Sequence, residues 1–186
     1  GIAWSGDGKS LIFSSERSGE PALWRIAVES GSIERVPQVR EAAVLPAISA
    51  KTDALAYVRW PLREEIVRIP LRSALGTHQE TAVEPAGVES FSQDASNPEF
   101  SPDGSRVAFS AGAPDRNKIW VSDADGKNAI PLTNEGGYSG SPRWSPDGRF
   151  IAFDFRATTN FGVYDAFVVD AKGGKPRALT TGPGQN

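Results

Sequence analysis

The chain has 186 residues, of which 39% are hydrophobic and 23% charged, and this composition predicts a globular domain rather than disorder. Its formal net charge of −3 lacks the basic surplus that nucleic-acid phosphates require, so direct nucleic-acid contact is not expected. No run of about 18 apolar residues occurs, so no membrane-spanning segment is predicted. The absence of cysteine excludes disulfides and thiolate metal sites but assigns neither the cytoplasm nor the periplasm.

A tight turn recurs along the chain. Its copies begin at Ser5, Ser49, Ser101 and Ser145, at intervals of 44, 52 and 44 residues. The most regular copies read Ser101-Pro102-Asp103-Gly104 and Ser145-Pro146-Asp147-Gly148. Proline presets φ in such a turn, aspartate accepts bonds from the backbone ahead, and glycine takes a positive φ. The second copy, Ala50-Lys51-Thr52-Asp53, lacks both Pro and Gly, so we expect the least regular turn there.

Four short strands are predicted around each turn. The first strand precedes the turn at residues 2–4, 46–48, 98–100 and 142–144, and the second follows it at 11–13, 55–57, 107–109 and 151–153. The third strand, with alternating apolar residues, falls at 22–26, 65–69, 118–122 and 165–169. A short, half-polar fourth strand is visible at 33–36, 129–133 and 176–180.

Four antiparallel strands repeated every 40 to 50 residues predict an all-β fold, a β-propeller with four blades of four strands in this chain. The expected blades cover about residues 1–40, 41–94, 95–137 and 138–186. The Trp and Phe residues of the inner strands are interpreted as packing between blades, not as a stacking platform for bases or sugars.

The motif Pro-x-Trp-Ser-Pro-Asp-Gly-x-x-Ile-Ala-Phe at 142–153, with Ile-Trp-Val-x-Asp-x-Asp-Gly at 119–126, resembles the PD40, or WD40-like, repeat of TolB-type propellers. The resemblance covers 97–133 and 141–180 almost throughout, and the first repeat departs from it with Gly6 in place of Pro. Such repeats occur in TolB, in prolyl-oligopeptidase-like and tricorn-like peptidases, and behind winged-helix domains of bacterial regulators. The wording at 24–26, at 46–49 and in the long run at 150–156 is most similar to the last group.

The resemblance also implies a ring with more blades than four, because repeats of this type usually build larger rings. Gly1 opens directly into a strand-like run, and we therefore expect the chain to be part of a longer protein. Its first and last blades would then expose apolar faces, through which two copies could associate.

The sequence contains no complete catalytic or metal-binding motif. His78 is the single histidine and has no His or Cys companion, so a solvated loop residue is expected. A Gly-x-Ser-x-Gly nucleophile motif is absent. Asp123 and Asp125 supply only a fragment of a calcium loop and are interpreted as turn residues. No enzyme activity, cofactor or metal is therefore predicted for these residues.

A binding face is predicted at the end of the blades opposite the tight turns. Its candidates are Arg17, Arg59, Arg116 and Arg156, after the second strands, and Arg40, Asp94 and Tyr138, in the links between blades. In a propeller these connections emerge on one face, where a protein partner or small ligand is usually held. The alternative is that these arginines pair with turn carboxylates between blades.

The leading hypothesis is a non-catalytic propeller module, the sensor or scaffold region of a larger bacterial protein such as a winged-helix transcriptional regulator. Two alternatives remain open: the gating propeller of a prolyl-oligopeptidase-like serine peptidase, and a TolB-like periplasmic envelope protein.

Overall fold

The computed structural model describes residues 1–37, 39, 42–52, 54–59, 65–70, 95–113, 116–134, 136–157 and 163–180. Within these residues the chain forms strands and no helix, which confirms the predicted all-β class. No helix suited to crossing a membrane is found among them.

The strands form four antiparallel sheets in chain order. Sheet one contains β1 Ile2–Trp4, β2 Ser10–Ser15, β3 Ala22–Ala27 and β4 Ile33–Arg35. Sheet two contains β5 Ala43–Ser49, β6 Ala54–Arg59 and β7 Glu65–Pro70. Sheet three contains β8 Ala95–Phe100, β9 Arg106–Ala111, β10 Lys118–Asp123 and β11 Ile130–Pro131. Sheet four contains β12 Gly137–Trp144, β13 Phe150–Ala157, β14 Asp165–Asp170 and β15 Arg177–Ala178. Residues 71–94, where the fourth strand of the second repeat is expected, lie outside the described residues.

The chain forms two compact units, residues 1–98 and 99–186. In the first unit, Ile12 and Leu23 of sheet one pack against Leu55, Tyr57 and Val67 of sheet two. The second unit repeats this arrangement with a larger set of side chains. Its core contains Ala108, Ile119 and Val121 of sheet three and Trp144, Ile151, Phe153 and Val169 of sheet four. Each fully buried apolar side chain of this size contributes about 1.5 to 3 kcal/mol from area alone.

Three of the tight turns are built from the same hydrogen bonds. The Ser145 hydroxyl donates to Asp147 Oδ1 at 2.6 Å, and the Arg149 N–H donates to the same oxygen at 3.1 Å. The Gly148 N–H donates to the Ser145 carbonyl at 2.9 Å, with φ of +69° at Gly148. The turns that begin at Ser5 and Ser101 repeat all three bonds. The predicted roles of Asp and Gly in these turns are thus observed directly.

The second turn differs from the other three. The Thr52 N–H donates to the Ser49 hydroxyl at 3.3 Å, a long contact, and Asp53 lies outside the described residues. Lys51 stands where the other turns have Asp, and Thr52 stands where they have Gly, so this segment lacks the carboxylate acceptor and the glycine of the other turns.

A bulge in the first strand was not predicted. Leu45, Asn97 and Ser141 occupy equivalent positions in sheets two, three and four, and their φ angles are +52°, +53° and +48°. The pairing register shifts there between Gly140 and Arg143. Pairing resumes beyond the bulge at Ala43–Val44 and at Gly137–Gly140, so β5 and β12 are longer than the predicted first strands.

Candidate functional site

Each sheet has two ends. The turn end carries the tight turn between the first and second strands. The loop end, opposite, is where the first strand begins and the second strand ends. In sheet four the loop end lies beyond the bulge, with Tyr138 opposite Arg156 and Gly140 opposite Asp154. We call Tyr138, Gly140, Asp154, Arg156 and Tyr164 the loop-end cluster.

In this cluster two tyrosine rings lie close to each other and to the guanidinium of Arg156. The Arg156 Cζ lies 5.9 Å from the ring centroid of Tyr138 and 5.7 Å from that of Tyr164. The two rings meet edge to face with centroids 6.1 Å apart. Tyr164 is 51% exposed, so its aromatic ring can be reached from solvent.

Gly140 allows the tyrosine to lie close to the carboxylate. A Cβ at Gly140 would lie 2.7 Å from Cε1 of Tyr138, 2.9 Å from its hydroxyl oxygen and 3.1 Å from Asp154 Oδ1. Any other residue would force the tyrosine ring to move. The absence of a side chain at residue 140 is therefore a requirement of the cluster.

The polar part of the cluster contains an acceptor without a donor. Asp154 Oδ1 is buried and has no hydrogen-bond partner within the described part of the chain, and the same holds for Asn117 Oδ1. The Ser139 N–H donates to the Asn117 carbonyl at 2.9 Å, which places Asn117 beside the loop end of β12. A buried acceptor left unsatisfied costs about 1 to 3 kcal/mol, and a ligand with N–H or O–H donors would recover that cost.

The predicted face residues divide between the two units. Arg116, Tyr138 and Arg156 all lie in the second unit, where the Arg116–Asn117 backbone adjoins the start of β12. Arg17 and Arg59 lie in the first unit. Arg40 and Asp94 lie outside the described residues, as does His78. Tyr138 and Arg156 therefore face each other at the loop end of sheet four, and Arg116 precedes Asn117, whose carbonyl accepts a bond from Ser139 at the start of β12.

The arginines of the first unit have separate surroundings. The Arg17 Cζ lies 5.1 Å from the Phe13 ring centroid and 5.0 Å from that of Trp24. Arg59 is exposed and ends β6, with its Cα opposite Ala43 and Glu65. Arg17 thus stacks on aromatic rings of its own sheet, whereas the sequence predicted that it would line a binding face or pair with a turn carboxylate.

Sequence reasoning missed Asp154, Asn117 and Tyr164. A signal was present in the repeat, because Asp154 occupies the position of Ser14 in sheet one, Val58 in sheet two and Ser110 in sheet three. The other three sheets have a small or apolar residue at this position, so the carboxylate of Asp154 departs from the repeat. This departure would have identified Asp154 from the sequence.

The two carboxylates in the turn after β10 accept hydrogen bonds from residues of the same turn. The Asn128 side-chain amide donates to Asp123 Oδ2 at 2.7 Å, and the Lys127 N–H donates to Asp125 Oδ1 at 3.0 Å. That backbone bond is the main cause that lowers the pKa of Asp125. No group of three or more His, Cys, Asp or Glu side chains that suits a metal ion is found in the described ranges.

Comparison with known proteins places this architecture in a family. The model of the TolB beta propeller domain, PD40, matches residues 38–186. A TolB homolog of Chlorobium luteolum is 26% identical over 170 residues, covering 91% of this chain and 36% of the relative. An uncharacterized peptidase of Bacillus subtilis, YuxL, is 30% identical over 93 residues, covering 47% of this chain and 14% of the relative.

A solved structure agrees with the fold. TolB from Acinetobacter baumannii superposes with a TM-score of 0.75 at 21% identity, covering 96% of this chain and 42% of that one. This chain thus spans less than half the length of these two TolB proteins. Residues 38–186 match the family model over most of the chain, and the protein belongs to the TolB beta propeller domain family.

Proposed function

We propose that this chain is a non-catalytic propeller module that binds a protein partner or a small ligand at the loop end of its second unit. The observation that carries the proposal is the buried Asp154 Oδ1, which has no donor within the described residues and lies beside Tyr138 and Gly140. Buried acceptors are normally satisfied, and one without a protein donor is completed by a donor from water, an ion or a ligand.

The surrounding side chains suit recognition rather than bond cleavage. Arg156 brings a permanent positive charge and Tyr164 an exposed ring, while Asp154 and Asn117 bring acceptors. A ligand that presents N–H or O–H donors together with an apolar group would satisfy both the acceptors and the rings. The cluster contains no Ser, Cys, Thr or His that could act as a nucleophile or as an imidazole base.

The proposal is tested by selecting binders from a displayed peptide library and measuring their affinity for matched variants. We expect Asp154→Ala and Tyr164→Ala each to lower the affinity for the selected peptides about tenfold or more. This corresponds to a loss of about 1.4 kcal/mol or more in binding free energy. Asp125→Asn, at the turn end of sheet three, is the control and should leave affinity unchanged. Equal affinities across all variants, or turnover of peptide or ester substrates by the purified chain, would contradict the proposal.

We further propose that the module serves as the sensor or scaffold of a longer protein such as a winged-helix regulator. The relatives that support the family are TolB proteins and a peptidase, so the regulator context remains a prediction from the resemblance of residues 150–156. The parent gene decides: an encoded helix-turn-helix domain upstream is the expected finding.

A second candidate is a TolB-like envelope protein, favoured by the family match over residues 38–186. A third is the propeller of a serine peptidase, favoured by the similarity to YuxL. A signal peptide upstream would support the envelope protein, and a downstream domain with an elbow serine would support the peptidase. Either finding would overturn the regulator proposal.

A further inference from the structure

The turn between β10 and β11 contains an Asp-Gly pair, Asp125-Gly126. The Gly126 N–H donates to the Asp123 carbonyl at 2.9 Å, and φ at Gly126 is +87°. The Lys127 N–H donates to Asp125 Oδ1 at 3.0 Å. The three regular tight turns contain the other Asp-Gly pairs of the sequence, with equivalent backbone bonds. The four pairs therefore share one backbone arrangement and can be compared directly.

The first residue of the turn differs between these pairs. In each tight turn it is a serine, whose hydroxyl donates to the carboxylate of the pair at 2.6 Å: Ser5 to Asp7, Ser101 to Asp103 and Ser145 to Asp147. In the turn after β10 it is Asp123, and an ionised carboxylate accepts hydrogen bonds but donates none. Asp123 Oδ2 accepts a bond from the Asn128 side chain instead. No hydroxyl that donates to Asp125 is found among the described residues.

The remaining side-chain contact of Asp125 lies on the surface. Lys127 Nζ lies 3.1 Å from Asp125 Oδ2, and the two side chains are 62% and 51% exposed. Water and salt screen an ion pair as exposed as this one, so it restrains its side chains weakly. A bond of 2.6 Å from a hydroxyl to a carboxylate is a short, charge-assisted bond. The Asp125 carboxylate is therefore less restrained than the other three.

An Asp-Gly pair can cyclise because glycine has no Cβ to shield its amide nitrogen. The nitrogen attacks Cγ of the protonated aspartate, a bond from nitrogen to Cγ replaces the bond from Cγ to the hydroxyl, and the amide proton leaves with that hydroxyl as water. The succinimide ring then takes up one water from solvent. Addition at the main-chain carbonyl carbon breaks its bond to nitrogen, and the chain then runs through Cβ and Cγ as isoaspartate. The two steps together conserve every atom and need no oxidant.

A serine hydroxyl opposes this reaction in two ways. It holds the carboxylate in the orientation that accepts the N–H two residues ahead. It also stabilises the ionised form, whereas loss of water requires the protonated acid, and it is the main cause that lowers the pKa of Asp7, Asp103 and Asp147. The pKa of Asp125 is lowered chiefly by the Lys127 N–H, without a hydroxyl. The restraint shared by three pairs is thus missing at the fourth.

We propose that Asp125-Gly126 is a site of spontaneous isoaspartate formation and that the serines of the tight turns protect the other three pairs. The additional main-chain carbon lengthens the turn and disturbs the bond from the Gly126 N–H to the Asp123 carbonyl. Strand β11 has two residues and lies at the edge of sheet three, so the change is confined to that edge. The loop-end cluster lies at the other end of the blades, and the modification and ligand binding can succeed or fail separately.

The experiment is incubation of residues 1–186 at neutral pH and physiological temperature, followed by trypsin digestion and mass spectrometry with electron-transfer fragmentation. Lys and Arg residues separate the four pairs into different peptides. Isoaspartate should form at Asp125 about tenfold or more faster than at Asp147, where a hydrogen bond to a charged group must first break. In the chain unfolded by urea, the four pairs should react at similar rates.

Two substitutions exchange the protection between the pairs. Ser145→Ala removes the hydroxyl and should raise the rate at Asp147 toward that at Asp125. Asp123→Ser introduces a hydroxyl and should lower the rate at Asp125. Each variant is the control for the other, because the rate at the pair whose turn is unchanged should stay the same. Circular dichroism verifies that both variants retain the fold.

Three results would overturn the proposal. The first is equal rates at the four pairs of the folded chain, or no isoaspartate at Asp125. The second is a preference for Asp125 that persists in urea, because it would arise from the local sequence and not from the turn. The third is a rate at Asp147 that Ser145→Ala leaves unchanged.

Discussion

The two ends of sheet four are held together in different ways. At the turn end, the Ser145 hydroxyl, the Asp147 carboxylate and the Gly148 amide are each bonded, and the same bonds recur at Ser5 and Ser101. At the loop end, Asp154 Oδ1 has no donor in the described chain and no counterpart in the other sheets. Repetition therefore marks what every blade needs to fold, and divergence marks where recognition can be placed.

The largest expected difference between the two ends is in packing. Trp144→Ala removes a buried indole at the turn end and should lower the free energy of unfolding by about 3 to 5 kcal/mol. Tyr164→Ala, at the loop end, removes a half-exposed ring with one aromatic partner and should cost about 1 kcal/mol. Urea unfolding followed by tryptophan fluorescence measures both. Equal costs would show that the loop end is as much a part of the core as the turn end.

The next largest change in the free energy of unfolding is expected from the backbone conformation of the turn at Ser145. Gly148 has φ of +69°, and Gly148→Ala should destabilise the chain by about 1 to 2 kcal/mol because a Cβ strains this conformation. Gly136→Ala is the control, since a Cβ there meets no atom within 4 Å and its φ is not in the left-handed range. The same denaturation assay applies. A Gly148→Ala variant as stable as Gly136→Ala would contradict the account of the turn.

At the loop end a substitution should stabilise. Asp154→Ser installs the residue found at this position in sheets one and three and removes the unsatisfied carboxylate oxygen. We expect the free energy of unfolding to rise by about 1 kcal/mol while the affinity for selected peptides falls. Asp147→Ser, which removes a bonded carboxylate at the turn end, should instead lower stability. A loss of stability in Asp154→Ser would show that the carboxylate serves the fold.

The smallest effect is the dependence of stability on pH at the turn end. The Ser145 hydroxyl and then the Arg149 N–H lower the pKa of Asp147, and the equivalent groups lower the pKa of Asp7 and Asp103. A lowered pKa in the folded state gives stability above the unfolded pKa of about 3.9, and that stability is lost as the pH falls further. Thermal unfolding between neutral and strongly acidic pH should show this loss, and Asp147→Asn should reduce it.

The pKa of Glu99 is shifted in the opposite direction to that of Asp147, and the two groups can be compared in the same protein. Burial raises its pKa, against the opposing influence of the Arg143 guanidinium, whose Nη1 lies 3.9 Å from the Glu99 carboxylate. The ionised form is therefore disfavoured in the folded state, and its cost is relieved as the pH falls through the raised pKa. Glu99→Gln should increase stability more at neutral pH than at pH values below that pKa. An equal change at both would contradict the direction of this shift.

The turns and the strands beside them could be predicted because their determinants are local. Ser, Asp and Gly at fixed spacing specify the hydrogen bonds and the positive φ of Gly148, and alternating apolar residues specify the strands. The bulge could not be predicted, since neither Leu45 nor Ser141 is a residue that favours a positive φ. Its conformation is imposed by pairing on both sides. The fourth strands are shorter than predicted, and Pro131 can donate no ladder bond at the end of one of them.

The candidate site was predicted in part. Tyr138 and Arg156 were identified because the expected topology places the start of one strand beside the end of the next. Asp154 was missed because it lies within a strand, where the search followed apolar residues, and Tyr164 because it belongs to a connection without a recurring motif. Unsatisfied acceptors depend on three-dimensional neighbours and have no signature in a single repeat.

The most direct test of this division between the two ends is nuclear magnetic resonance of the isotope-labelled chain during titration with a library-selected peptide. The account predicts that amide shifts change at Asn117, Tyr138, Asp154 and Tyr164, with little change at residues 145–148. Shift changes centred on the turns at Ser101 and Ser145, with the loop-end cluster unaffected, would contradict it.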